Sequence, residues 1–195
     1  MSGSLAVKDA RERMAFELDK YHGARAGAYA ASKFAFLLPA VLAQAAWMGF
    51  YVHEICGLPG GVAAQIGVLA LLNAAFTALC LAVSSLTRAP WRSLGICLGL
   101  AAAQLPLSGA LLAPPELLLW IARPLVTLYW GACAYLQTMA GSRFHEIFGV
   151  VAPWSLSPLA LALSMLLAHL VLGVAITVAG CRITRLGLTR RHPGT

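Results

Sequence analysis

The chain has 195 residues, 60% of them hydrophobic and only 11% charged, with a formal net charge of +7 and a mean hydropathy of +0.79. Soluble domains carry about 25% charged residues, so a disordered tail, a nucleic-acid module and an ordinary cytosolic enzyme are set aside. The composition is that of an integral membrane protein, and the positive balance fits lysines and arginines held on the cytoplasmic side of a bilayer.

Residues 1–33 are polar and lack the apolar stretch of a cleavable signal peptide. Val7, Ala10, Met14, Leu18 and Tyr21 recur there at helical spacing, so residues 5–20 are expected to form an amphipathic helix. Asp9 with Arg13 and Lys8 with Glu12 are i,i+4 pairs on the rest of its surface, each contributing about 0.2–0.5 kcal/mol. His22-Gly23 interrupts the pattern, and a second helical stretch runs from Ala24 into the first span. It sets Arg25, Tyr29 and Lys33 one turn apart on a single face. Two readings stay open for the segment: an interfacial helix with snorkelling cations, or a docking helix for a cytoplasmic partner.

Beyond it the chain is uncharged over residues 34–53, 55–87, 93–115, 124–142 and 147–181. A helix crosses the hydrocarbon core with roughly 20 apolar residues, which allows four or five crossings. The run 124–142 holds Pro124, Thr127, Tyr129, Trp130, Tyr135, Gln137 and Thr138, an interfacial mixture. Four crossings put twelve of the fourteen cations inside. Five would place Arg182, Arg185, Arg190 and Arg191 outside, against the positive-inside rule.

The expected fold is therefore all-α and membrane-embedded. A cytoplasmic amphipathic segment at 1–33 leads to a transmembrane domain at 34–181 and a basic cytoplasmic tail at 182–195. The spans are expected at 34–52, 61–86, 93–112 and 157–181, with an outer re-entrant or interfacial segment at 113–156. Re-entrant backbone is tolerated only where protein or a wet cavity covers it. Pro114, Pro115, Pro124, Pro153 and Pro158 punctuate that segment as helix breaks. The expected location is an inner (plasma) membrane, with both termini cytoplasmic.

Several residues inside these runs are candidates for chemistry. His169 is the ionisable residue well inside a span, and such groups mark functional sites by default because they are costly. It admits a neutral imidazole hydrogen-bonded across helices, a haem or pigment ligand, or a polar site on a transport path. Gln44, Gln65, Asn73 and Gln104 are uncharged polar groups within spans; helix–helix hydrogen bonds account for them as well as a substrate path does. Gly95 and Gly99 form a Gly-x-x-x-Gly pair suited to close helix packing.

Cys56 and Cys133 both fall on the outer side and are either free or paired; Cys80 and Cys97, within spans, read as small apolar fillers. The repeated His53-Glu54 and His145-Glu146 pairs read as surface contacts or as a divalent-metal site. No catalytic motif occurs in the sequence, and no metal or cofactor is expected in this chain.

The stretch Glu12-Arg13…Phe16…Asp19…Arg25…Tyr29…Lys33, followed by Leu37-Leu38-Pro39, resembles the first cytoplasmic loop of ABC type-2 exporter permeases, nearest to the white-type G subfamily. Gly57-Leu58-Pro59 is similar to that family's short outer turn. Leu105-Pro106-Leu107-Ser108-Gly109-Ala110-Leu111 is similar to the end of its penultimate span, and the segment with Trp120, Pro124 and Tyr129 to its re-entrant helices.

The resemblance implies that Glu12, Arg13, Phe16, Asp19, Arg25, Tyr29 and Lys33 form a coupling helix against an ATP-binding partner. The family's two spans before that helix have no counterpart here. Nor does the sequence hold a Gly-x-x-x-x-Gly-Lys-Ser/Thr phosphate loop, so ATP and magnesium would be handled by the partner. The implied partners are membrane lipid, an ATP-binding subunit, and another transmembrane subunit or a second copy; nucleic acid is not among them. The alternative function is a non-transporting assembly subunit of a larger membrane complex, derived from a permease fold.

Overall fold

A computed structural model describes residues 25–87, 90–108, 123–151 and 156–183. These residues form helices α1 (Ala26–Glu54), α2 (Val62–Leu86), α3 (Pro90–Leu107), α4 (Thr127–Gln137), α5 (Arg143–Val151) and α6 (Leu159–Ile183), with no strand among them. Three helices, α1, α2 and α6, are long and apolar enough to cross a membrane. The chain is thus an all-helical membrane protein. Residues 1–24 lie outside the described set, and with them the expected amphipathic helix and Glu12, Arg13, Phe16 and Asp19.

Boundaries follow local chemistry. The helical stretch expected to run from Ala24 into the first span is α1, which begins at Ala26 because the alanine-rich run before Lys33 favours helix. It ends at Glu54, where Gly57 takes a positive φ of 61°. α2 stops before Thr87, whose hydroxyl donates to the Val83 carbonyl at 2.8 Å and so satisfies a last-turn acceptor. α3 starts on Pro90, which needs no amide partner at the first helical position. It spans 18 residues and holds Arg92, Gln104 and Pro106, which makes it less apolar than the other long helices. Residues 109–112 of the expected third span are outside the described set.

The direction of each helix can be read from its contacts. α1 is antiparallel to α2, since Gly49 lies against Ile66 while the Asn73 amide reaches the Val41 carbonyl. α3 is also antiparallel to α2; the Cys97 thiol points at the Cys80 carbonyl at 3.8 Å. α6, by contrast, runs parallel to α2. A Cβ on Gly173 would stand 2.7 Å from the Ala78 carbonyl carbon, and one on Gly180 would meet Ser85. Along this seam α6 buries Ala162, Leu166, His169, Gly173, Thr177 and Gly180 at helical spacing, against Ala75, Ala78, Ala82 and Ser85 of α2. Small residues let the two backbones approach, which is how helices associate where lipid removes the hydrophobic drive between them. Gly95 and Gly99 do no such work among the described residues: both are exposed, and a Cβ on either would meet none of them.

α4 is the unusual element. At 11 residues it is about half the length of its neighbours. Gly131 abuts Leu72, roughly 15 Å along α2 from its start, while Thr138, just past the end of α4, meets Gly60 at the start of α2. α4 therefore begins at mid-height inside the bundle and runs outward. Tyr129 and Trp130 pack edge to face at 5.0 Å and form a core with Val68, Cys133, Ala134, Ala162 and Leu166. The Trp130 indole donates to the Arg123 carbonyl at 2.7 Å, and the Arg123 guanidinium lies over the Tyr129 ring at 5.5 Å.

The re-entrant stretch expected at 125–136 thus becomes a helix covered by protein on the α2 and α6 sides. α5 differs. It starts on a Ser142 cap, whose hydroxyl accepts the His145 amide, and it buries no residue. Phe144, Ile147, Val150 and Val151 stay on its surface, the pattern of a helix lying in the bilayer interface.

Candidate functional site

Between α1, α2 and α3 the structure holds a cavity of about 280 Å³. α1 contributes Gln44, Ala45 and Met48; α2 contributes Leu69, Leu72, Asn73 and Phe76; α3 contributes Ala101 and Gln104; and Leu128 of α4 closes one end. Its position follows from the helix directions. α1 and α3 both pack on α2 but not extensively on each other among the described residues, so a crevice floored by α2 runs between them. Met48 and Gln44 are exposed on its rim.

Three of the four polar span residues singled out in the sequence meet here. Gln104 accepts the Leu128 amide at 2.9 Å through Oε1. That bond satisfies one of the amides that a helix start leaves open, since Val126 offers no side-chain cap. Gln104 is 9% exposed, and its NH₂ group has no hydrogen-bond partner among the described residues. Asn73 donates a long 3.4 Å bond to the Val41 carbonyl, and its Oδ1 accepts none among the described residues. Gln44 makes no hydrogen bond among them. The Gln104 NH₂, the Asn73 Oδ1 and the exposed Gln44 carboxamide thus bring unused hydrogen-bonding capacity to the crevice. None of the described residues lining it carries an ionisable group.

No protein-family model and no curated protein matches the chain. What the site can do is therefore argued from its own groups. Several neutral donors and acceptors converge on an otherwise apolar cleft, the make-up of pockets that bind small molecules.

The remaining candidates fall elsewhere. Gln65 is fully buried at the outer end, where it donates to the Pro59 carbonyl at 2.9 Å. His169 is buried on α6, its Nδ1 donating to the Met165 carbonyl one turn back at 2.8 Å, and it does not line the cavity. Arg25, Tyr29 and Lys33 do share a face: the Tyr29 amide bonds the Arg25 carbonyl and the Lys33 ammonium sits 5.3 Å from the Tyr29 ring centroid.

His145 turns its Nδ1 to the Leu136 carbonyl at 3.2 Å, and no group of three metal-ligating side chains forms among the described residues. Sequence reading named Gln44, Asn73 and Gln104 one by one. Their convergence had a signal, since each of three successive helices carries a carboxamide, but α2 also carries Gln65, which falls elsewhere, and the capping role of Gln104 had no signal.

Cys56 and Cys133, left open as free or paired, are both free. Cys56 is exposed, whereas Cys133 is fully buried in the α4 core. Only the thiolate reacts, so at about pH 8 an impermeant maleimide is expected to modify Cys56 and leave Cys133 untouched until the protein unfolds. Peptide mapping by mass spectrometry reads both sites; modification of Cys133 in the folded protein would contradict the packing of α4.

Proposed function

We propose that the chain is a permease-like membrane subunit of an ABC type-2 exporter, coupled to a separate ATP-binding subunit. The observation that carries this reading is the carboxamide-lined cavity at mid-height, with a half-length helix closing one end. Non-helical or broken backbone at membrane depth is a mark of transport proteins.

Four crossings draw support from the helix directions, and a cytoplasmic side for both termini from the distribution of cations. α2 and α6 are parallel, so the intervening chain must return across the membrane, and α3 already runs back along α2. The white-type resemblance supplies the coupling role of residues 1–33. A push on that segment would pass through Arg25, Tyr29 and Lys33 into α1, with Pro39, inside the helix, as the bend point. Because α1 carries one wall of the cavity, its movement against α2 opens or narrows the crevice. ATP binding shifts such an equilibrium only by its differential affinity for the two states.

The second reading, a non-transporting assembly subunit, draws on the exposed Gly95 and Gly99, which suit a helix from another subunit. Affinity capture in mild detergent through a C-terminal tag separates the two. The exporter reading expects an ATP-binding subunit in the retained material, lost when Glu12, Arg13 and Phe16 are changed to Ala. A large assembly without any ATPase would overturn it in favour of the assembly subunit.

A further inference from the structure

We infer that the crevice between α1, α2 and α3 binds an uncharged amphipath, its polar head held by the Gln44, Asn73 and Gln104 carboxamides and its tail lying along Met48 and Leu69. The inference rests on the permease reading of the bundle and names the ligand class of that same cavity. Its first ground is the pairing of orphaned groups. Gln104 is nine-tenths buried and has a free NH₂ group; Asn73 offers Oδ1, and Gln44 both an acceptor and a donor. A head that both donates and accepts, such as a hydroxyl or an amide, satisfies them together.

The second ground is the missing counter-charge. No described lining residue is ionisable, and a charge brought to this depth would find no counter-charge among them in a medium of low dielectric. A carboxylate or an ammonium is therefore disfavoured. Third, the wall between the amides is apolar and the rim residue Met48 is 46% exposed on the outer surface of α1, so a tail can leave sideways towards lipid. A volume of about 280 Å³ corresponds to roughly nine water-sized groups, enough for a head and its first methylenes and too little for a second helix, which is about 10–12 Å across.

The test uses the full chain in phosphatidylcholine nanodiscs and a monoacylglycerol carrying a diazirine in its chain. After photolysis, cross-linked peptides are expected to map to the segments holding Gln44, Leu69 to Phe76, and Gln104. Monolaurin should displace the probe at a concentration about tenfold lower than laurate or dodecyltrimethylammonium, which share its chain length and differ in charge. Asn73→Leu with Gln104→Leu should lower the yield about fivefold or more. Because Gln104 also caps α4, a second variant, Met48→Trp, blocks the rim from an exposed position and should lower the yield with an unchanged unfolding temperature.

Cross-links spread evenly over exposed Leu161 and Val171 of α6, or equal displacement by all three amphipaths, would overturn the inference. The measurement needs no ATP-binding partner. Loss of partner capture would sink the exporter reading and leave this binding intact, and the reverse outcome would sink the binding alone.

Discussion

Gly173→Leu is expected to lower the unfolding temperature of the detergent-purified protein more than any other single change in the α2–α6 seam. Even an alanine there would set its Cβ 2.7 Å from the Ala78 carbonyl carbon, 2.8 Å from the Ala78 Cβ and 2.9 Å from the Leu79 amide nitrogen. These are backbone atoms and a β-carbon, none of which can swing aside. The helices must move apart instead, and the close approach of Gly173 to Ala78 and of Gly180 to Ser85 is lost along the seam. Overpacking of this kind costs about 1–3 kcal/mol for the smallest insertions and more for larger ones. At roughly 2–4 °C per kcal/mol for a chain of this size, Gly173→Ala should shift the midpoint by several degrees, and Gly173→Leu should leave little folded protein.

Gly99→Leu supplies the control, because a Cβ at Gly99 meets nothing and the position is exposed. It should unfold close to the parent. Equal losses at both positions would mean that α6 does not pack on α2 through Gly173.

The second large effect is expected at Gly60. Its φ of +121° lies where side chains are strained, and a Cβ would stand 2.7 Å from the Thr138 carbonyl oxygen and 2.9 Å from the Gln65 Nε2. Gly60→Ala therefore costs about 1–3 kcal/mol in backbone strain. It also forces the outer end of α4 away from α2 and strains the Gln65 bond to the Pro59 carbonyl. The reading is specific as well as thermal: with α4 loosened, Cys133 should become open to maleimide in the native state. Gly57→Asn is the comparison. Gly57 has φ +61° with open space around it, a conformation that asparagine tolerates, so stability and Cys133 protection should both persist. An intact Cys133 in Gly60→Ala would show that α4 is held from its inner end, through Gln104 and Trp130, rather than from the outer loop.

Much of the architecture was open to inspection in the residues themselves. Charge spacing locates the apolar lengths of α1, α2 and α6, though not the start of α1, which runs through Lys33, because a cation or carboxylate in hydrocarbon is penalised wherever the chain goes, so the signal is local. Helix ends at Gly57, Thr87 and Pro90 follow from backbone preferences that act over a few residues. The mixed run at 124–142 was legible as something other than a lipid-facing span for the same reason.

What tertiary structure alone decided is which of these pieces touch. Gly95 and Gly99, four residues apart, carry the sharper packing pattern, and Gly173 and Gly180, seven apart, a weaker one, yet among the described residues only the latter pair lies against another helix. Spacing describes one helix face and says nothing of what opposes it. Gln44, Asn73 and Gln104 stand out as costly polar groups, but that they surround one crevice depends on α1 and α3 flanking α2 and on α4 rising to mid-height beside them. Gln104 capping Leu128 joins residues 24 positions apart in sequence. The residues by themselves determined a membrane protein and the elements it is built from, since burial in lipid is paid residue by residue; the cavity, the parallel α2–α6 seam and the half-helix between them arise only from long-range packing.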